Sequence, residues 1–296
     1  LLAGDGTHRT QRRIVADVRA YLGEKLRQGK RQEAAGTLAL ATAKVIQQTG
    51  QWDWAAECYE AFGALLESQN TTDLSELARS MRARAEQLRA MSKAGPNPSQ
   101  IKIAPRGSMT TIDLSQHANW SNTEWWGDSY HGNGLAELPK GDQVLGGVRF
   151  NITEKMMQLG YAEMSDAPLH IDGIPVGQKC ARLFFLHATQ HGTRDGAAVA
   201  DYTVHYEDGS AATIPVVYGR DVRDWWNHDQ GLPVSRARVA WTGSNPTSDK
   251  TGTKLRLFLS VWENPHPEKT VATLDFVKTE DRQCGPMCLA ISAEGG

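Results

Sequence analysis

Ala200-Asp201-Tyr202-Thr203-Val204-His205-Tyr206-Glu207-Asp208-Gly209, followed by Thr213-Ile214-Pro215-Val216-Val217, decides the fold class of this chain. Ala200, Tyr202, Val204 and Tyr206 alternate with polar Asp201, Thr203 and His205, a period of two that belongs to a strand buried on one face. Asp208-Gly209 supplies the turn residues that fold the chain back into a second strand. Working outward, Leu183–Leu186 and Leu255–Val261 are apolar runs of buried-strand type, and Val144–Ile152, Val234–Trp241, Val271–Val277 and Met287–Ile291 extend the series. About ten short strands, with no convincing helix after Pro105, predict a β-sandwich or barrel.

Residues 1–95 carry a different period. Ile14, Val18, Leu22 and Leu26 recur every fourth position; Leu38, Thr42 and Val45 begin a second stripe. Ala55, Tyr59, Phe62 and Leu66 form a third, and Leu74, Leu77, Met81, Ala85 and Leu88 a fourth. Breaks fall at Gly29, Gly50 and Gln69-Asn70, and Asp73 with Glu76 reads as a capping box. Gly95-Pro96-Asn97-Pro98 ends the last helix. The expected fold class is therefore α+β in two segregated domains. Helical hairpins or a bundle occupy 1–95, a linker 96–105, and an all-β jelly-roll-like sandwich 106–296.

Charge excludes a general polyanion binder. The 296 residues carry a net charge of -2, with 14 Lys and Arg against 11 Asp and Glu over 1–95 and 18 against 23 beyond. Neither half has the basic field that nucleic acid demands. No run of ~18 apolar residues is present, so no transmembrane segment is expected, and no signal peptide is recognisable. The chain opens on Leu1 rather than Met, which reads as a piece processed or cut from something longer; the missing signal therefore does not argue against export.

Chemistry is sparse. Cys284-Gly285-Pro286-Met287-Cys288 has one residue too many for a two-residue redox motif and leads into a strand, so a structural disulfide or two plain thiols is the expectation. Glu124, Asp128, Asp221, Asp224 and Glu263 are the carboxylates to test for a glycosidase-like pair, and turn capping accounts for them as well. His187 and His191 have i,i+4 spacing, which suits a metal only on a helix; here His187 reads as sandwich core and His191 as loop. No cofactor fingerprint appears, and Asp113, Asp128 and Asp142 are the candidate ligands of a structural Ca²⁺ of the kind common in sandwiches.

The tryptophans are more informative, since seven of nine lie in the β region. The segment from Asn119 to Tyr130 mixes Trp120, Trp125 and Trp126 with Asn119, Asp128 and Tyr130 in a polar, loop-like stretch. Indole faces stack on the apolar C–H faces of sugars while amides and carboxylates bond hydroxyls, which makes these six residues the carbohydrate-binding candidates. A lid over one end of the sandwich is the competing reading. Trp225, Trp226, Trp241 and Trp262 read as core or edge plugs.

An ordered series of stretches adds a resemblance. It runs through Ile112-Asp113-Leu114-Ser115, Gly147-Val148-Arg149-Phe150-Asn151-Ile152, Ile174-Pro175-Val176-Gly177-Gln178-Lys179, Leu183-Phe184-Phe185-Leu186-His187-Ala188, Tyr202–Gly209, Val217–Trp226 and Trp262–Pro267. Over about residues 110–293 it resembles the galactose-binding-like jelly-roll modules, of carbohydrate-binding-module type, in exported proteins and glycosidases of planctomycetes and related bacteria. The resemblance implies a sandwich accessory to another activity, and carries no set of ligand residues with it. Residues 10–92, through Gly50, Ala55-Ala56, Tyr59 and Phe62, resemble tetratricopeptide-like hairpins. The expected function is a non-catalytic carbohydrate-binding or cell-surface module, exported, whose partner is a glycan or cell-surface polymer. A protein-interaction subunit or homo-oligomer, and a glycoside hydrolase or lyase, are the alternatives.

Overall fold

The computed structural model describes residues 8–31, 33–34, 37–38, 42, 52–68, 72–93, 103–123, 132–228 and 234–295. The chain divides into two compact units, Leu1–Ile101 with Asp229–Ser235, and Lys102–His228 with Arg236–Gly296.

The first unit contains α1 (His8–Arg27), α2 (Trp52–Glu67) and α3 (Thr72–Lys93), with residues 31, 33–34, 37–38 and 42 also helical. The fourfold stripes bury as their spacing requires: Leu22, Leu38, Ala55, Tyr59, Phe62, Leu66, Leu74, Met81, Ala85 and Leu88 share one apolar cluster. Gly29 stops α1 in the left-handed region (φ 71°), donating its N–H to Leu26 O at 2.9 Å. Asp73 lies inside α3, one residue beyond its start at Thr72, rather than ahead of the helix as a cap. Val45, Gly50, Gln69-Asn70 and Gly95–Pro98 lie outside the described residues.

The second unit is mostly antiparallel sheet. Its strands are β1 (Met109–Thr111), β2 (Trp120–Ser121), β3 (Gly141–Leu145), β4 (Val148–Ile152), β5 (Lys155–Gln158), β6 (His170–Lys179) and β7 (Arg182–Gln190). β8 (Ala198–Tyr206), β9 (Ala211–Val217), β10 (Arg238–Gly243), β11 (Leu255–Glu263), β12 (Thr270–Lys278) and β13 (Gly285–Glu294) follow. A seven-stranded sheet has the order β10-β11-β7-β13-β5-β2, with β1 also on β13; a four-stranded sheet has the order β6-β12-β8-β9. The decisive hairpin forms as its sequence dictates. Ala200, Tyr202, Val204 and Tyr206 are buried, Asp208 accepts from Ser210 N–H at 2.9 Å, and Gly209 takes φ 82°.

The two sheets share one core. Leu183, Phe185, Cys288 and Ile291 from the large sheet meet Tyr202, Val204, Leu274 and Phe276 from the small one. Tyr202 is its hub, with its ring 4.2 Å from that of Phe185 and 4.7 Å from that of Phe276. β7 and β13 are buried along their whole length, because the large sheet is covered on its other face as well. The β3–β4 hairpin lies there: Ser292 Oγ donates to Arg149 O at 2.6 Å, and a Cβ on Gly146 would stand 3.0 Å from Leu259. Val144–Ile152 is thus two strands split at Gly146-Gly147. One short helix departs from the all-β expectation: α4 (Pro246–Thr251), started by Asn245, whose side chain accepts from Ser248 N–H while Ser248 Oγ accepts from Asn245 N–H.

Candidate functional site

The aromatic-polar segment begins on a firmly built foot. Asn119 bonds the backbone of Gln158 twice, its Oδ1 accepting from the N–H at 2.8 Å and its Nδ2 donating to the carbonyl at 3.0 Å. Trp120 is half-buried and pairs with Met156 in the β2–β5 ladder. Asn122, fully buried, donates its backbone N–H to Glu154 O at 2.9 Å and its Nδ2 to Thr153 O at 2.9 Å, while Lys140 Nζ donates to its Oδ1 at 2.7 Å.

A second foot receives the chain after the segment. Leu135 N–H donates to Asn122 O at 2.7 Å, which ties the two feet into a neck. Asn245 Nδ2 donates to Asn133 Oδ1 (3.2 Å) and Gly134 O (3.0 Å), so α4 holds this foot from behind. Gly132, at φ 80°, lies against Pro246, where a Cβ would approach to 2.7 Å. Trp125, Trp126, Asp128 and Tyr130, with Glu124 and His131, fall between the feet and lie outside the described residues. The structure therefore describes Asn119 and Trp120 at the foot and the clamp on which the rest is strung. Asn122, Lys140, Asn133 and Asn245 are the clamp residues that the sequence reading did not separate from their polar surroundings.

Burial lowers the pKa of the Lys140 ammonium, against a weaker opposing pull from the Glu154 carboxylate. A Lys–amide pair withdrawn from water in this way is stiffer than a surface contact, since little solvent competes for either group.

The other candidate chemistry resolves into scaffold. Asp221 is buried and accepts from Val217 N–H (2.8 Å), Arg236 Nε (2.5 Å) and Arg220 Nε (3.4 Å). Asp224 Oδ1 accepts from Trp226 N–H at 3.0 Å, and exposed Glu263 lies 3.7 Å from Arg106. Asp195 and Arg223 form a buried two-point fork at 2.8 and 2.9 Å that pins two loops together. Asp221, Asp224 and Asp195 are thus engaged by a cation or a turn, whereas Glu263 is an exposed surface carboxylate.

His187 sits at the sandwich centre, registered across from Cys288 on β13, with its Nε2 buried and without a hydrogen-bond partner. Burial first, and the charge of Arg236 second, push its pKa down to about 3. His191 is exposed in the following loop at φ 59°, near Glu163, so the two histidines do not converge. Cys58, Cys180, Cys284 and Cys288 are buried free thiols; burial pushes Cys284 and Cys288 up to about 12, which removes them from thiolate chemistry. Asp113 caps Ser115 N–H and Asp142 pairs with Arg149, and among the described residues no group of three His, Cys, Asp or Glu can hold a metal. Trp225 and Trp226 are buried edge-to-face at 5.9 Å, while Trp241 and Trp262 are half-buried.

Among the described residues no helix is long and apolar enough to cross a membrane. No protein-family model matches the chain, and no curated protein matches it.

Proposed function

We propose that the second unit is a non-catalytic carbohydrate-binding module of galactose-binding-like jelly-roll type, acting on a glycan or cell-surface polymer as part of a larger exported protein. The observation that carries this reading is the clamped neck at Asn122 and Leu135, which brackets in sequence the Trp-rich residues 124–131. The engaged state of Asp221, Asp224 and Asp195 favours recognition over hydrolysis, because paired or capping carboxylates are poorly placed for acid–base work.

Glycan-array screening followed by calorimetry tests the reading. Trp125→Ala and Trp126→Ala are each expected to weaken binding at least about tenfold, or ~1.4 kcal/mol, with the far-ultraviolet circular dichroism unchanged. A wild-type protein that binds no glycan, or one whose Trp-rich segment is occupied by a second copy in a stable oligomer, overturns it.

A further inference from the structure

The neck holds a pair of groups positioned for a reaction with each other. Asn122 is fully buried, and both ends of its carboxamide are fixed, Nδ2 on Thr153 O at 2.9 Å and Oδ1 under Lys140 Nζ at 2.7 Å. The lysine reaches it from 18 residues further along the chain. An amine held against an immobilised carboxamide carbonyl has the high effective concentration that turns a slow bimolecular transamidation into an intramolecular one.

We propose that Lys140 and Asn122 join in an intramolecular isopeptide bond, closing residues 122–140 into a covalent ring. Nζ, as the free amine, attacks Asn122 Cγ; the new Nζ–Cγ bond forms and the Cγ–Nδ2 bond breaks. One hydrogen of the amine passes to the departing nitrogen, which leaves as ammonia. The step needs no oxidant and no external acyl donor. Partial desolvation enlarges the share of reactive amine at Lys140, as at other nucleophilic lysines. The Glu154 carboxylate is close enough to act on the Lys140 charge, and its backbone carbonyl accepts the Asn122 N–H at 2.9 Å. The ring so formed contains the whole 124–131 segment and fixes its neck permanently, whatever that segment binds.

Intact mass of the purified full chain, denatured and reduced, tests this directly. The expected mass is the sequence mass less one ammonia, with a peptide map joining the Asn122 peptide to the Lys140 peptide. Lys140→Arg keeps a cation at the neck but no acylable amine, and should return the full sequence mass with unchanged circular dichroism. Wild-type protein at full sequence mass, even after incubation at mildly alkaline pH, sinks the proposal. So does an ammonia loss that persists undiminished in Lys140→Arg, which marks succinimide formation at an asparagine such as Asn133 before Gly134 and not a cross-link. If the arginine variant does not fold, the wild-type peptide map alone decides. None of these readouts depends on glycan binding, so this inference and the carbohydrate reading fail separately.

Discussion

The helical unit and the sandwich both tie antiparallel neighbours with arginine–glutamate forks, and the forks differ in where they sit. Between α2 and α3, Arg82 meets Glu67 at 2.8 and 2.5 Å and Arg89 meets Glu60 at 2.9 and 2.8 Å, all with side chains well exposed. Between β7 and β13, Arg182 meets Glu294 at 2.6 and 2.8 Å with side chains only 1% and 3% exposed. Glu294 Oε1 also accepts from the backbone N–H groups of Arg106 and Gly107, and Arg182 donates to Ala104 O at 3.1 Å. The same chemistry therefore does two jobs. Exposed forks trim a hairpin already held by Phe62, Leu66, Ala85 and Leu88, whereas the buried fork anchors the chain as it enters and leaves the sandwich.

The sharpest way to break this contrast is to remove one partner of the buried fork. Arg182→Ala should cost the sandwich about 3–5 kcal/mol in urea unfolding, because the Glu294 carboxylate is left buried and uncompensated. Arg182→Met combined with Glu294→Leu should recover most of that loss. A single-variant cost under ~1 kcal/mol would erase the distinction.

A smaller effect separates the units by pH. The folded pKa of His187 is depressed from 6.5 to about 3, so the unfolded chain binds the proton first. Stability contributed by neutral His187 is full above about pH 6.5 and falls as pH drops below it, by about 2 kcal/mol between pH 6.5 and 5. Glu294, depressed from 4.5 to about 2 chiefly by Arg182, contributes above its unfolded value and loses that contribution only as pH falls further towards 2. His187→Leu should flatten the first of these two phases, read as urea midpoints at pH 7.5 and 5; an unchanged pH slope in the variant would remove His187 as its source.

The least effect belongs to the exposed forks. Glu67→Ala or Arg82→Ala is expected to lower helical-unit stability only slightly, and the difference should disappear in about 0.5 M salt. Hydrogen exchange along α2 and α3 measures it, and a loss matching that of Arg182→Ala would equate the two kinds of fork.

Much of this architecture was legible where a local period exists. The alternation at Ala200–Tyr206 became β8, and the apolar runs at Leu183–Leu186 and Leu255–Val261 lie inside β7 and β11. β6 escaped because Gly173, Pro175 and Gly177 interrupt its alternation and two register shifts accompany its pairing with β12. α4 was readable in principle from Asn245-Pro246-Thr247-Ser248, a capping box with proline at the first helical position, yet its short length hid it. At the candidate site, composition identified the segment but not its supports. Asn122 and Lys140, or Arg182 and Glu294, meet only through the fold, the latter across 112 residues, and no local pattern encodes such a meeting.

The β1–β13 pairing has one more consequence. Thr111 to Met109 run beside Ser292 to Glu294, and Gly295 N–H donates to Ser108 O at 3.0 Å, so the first and last strands of the sandwich stand side by side. A domain with its two ends side by side can be spliced into a surface loop of a host protein without prying that loop apart. It can also be circularly permuted by a short bridge from Gly295 to Ser108, which makes this sandwich a ready cassette for modular assembly.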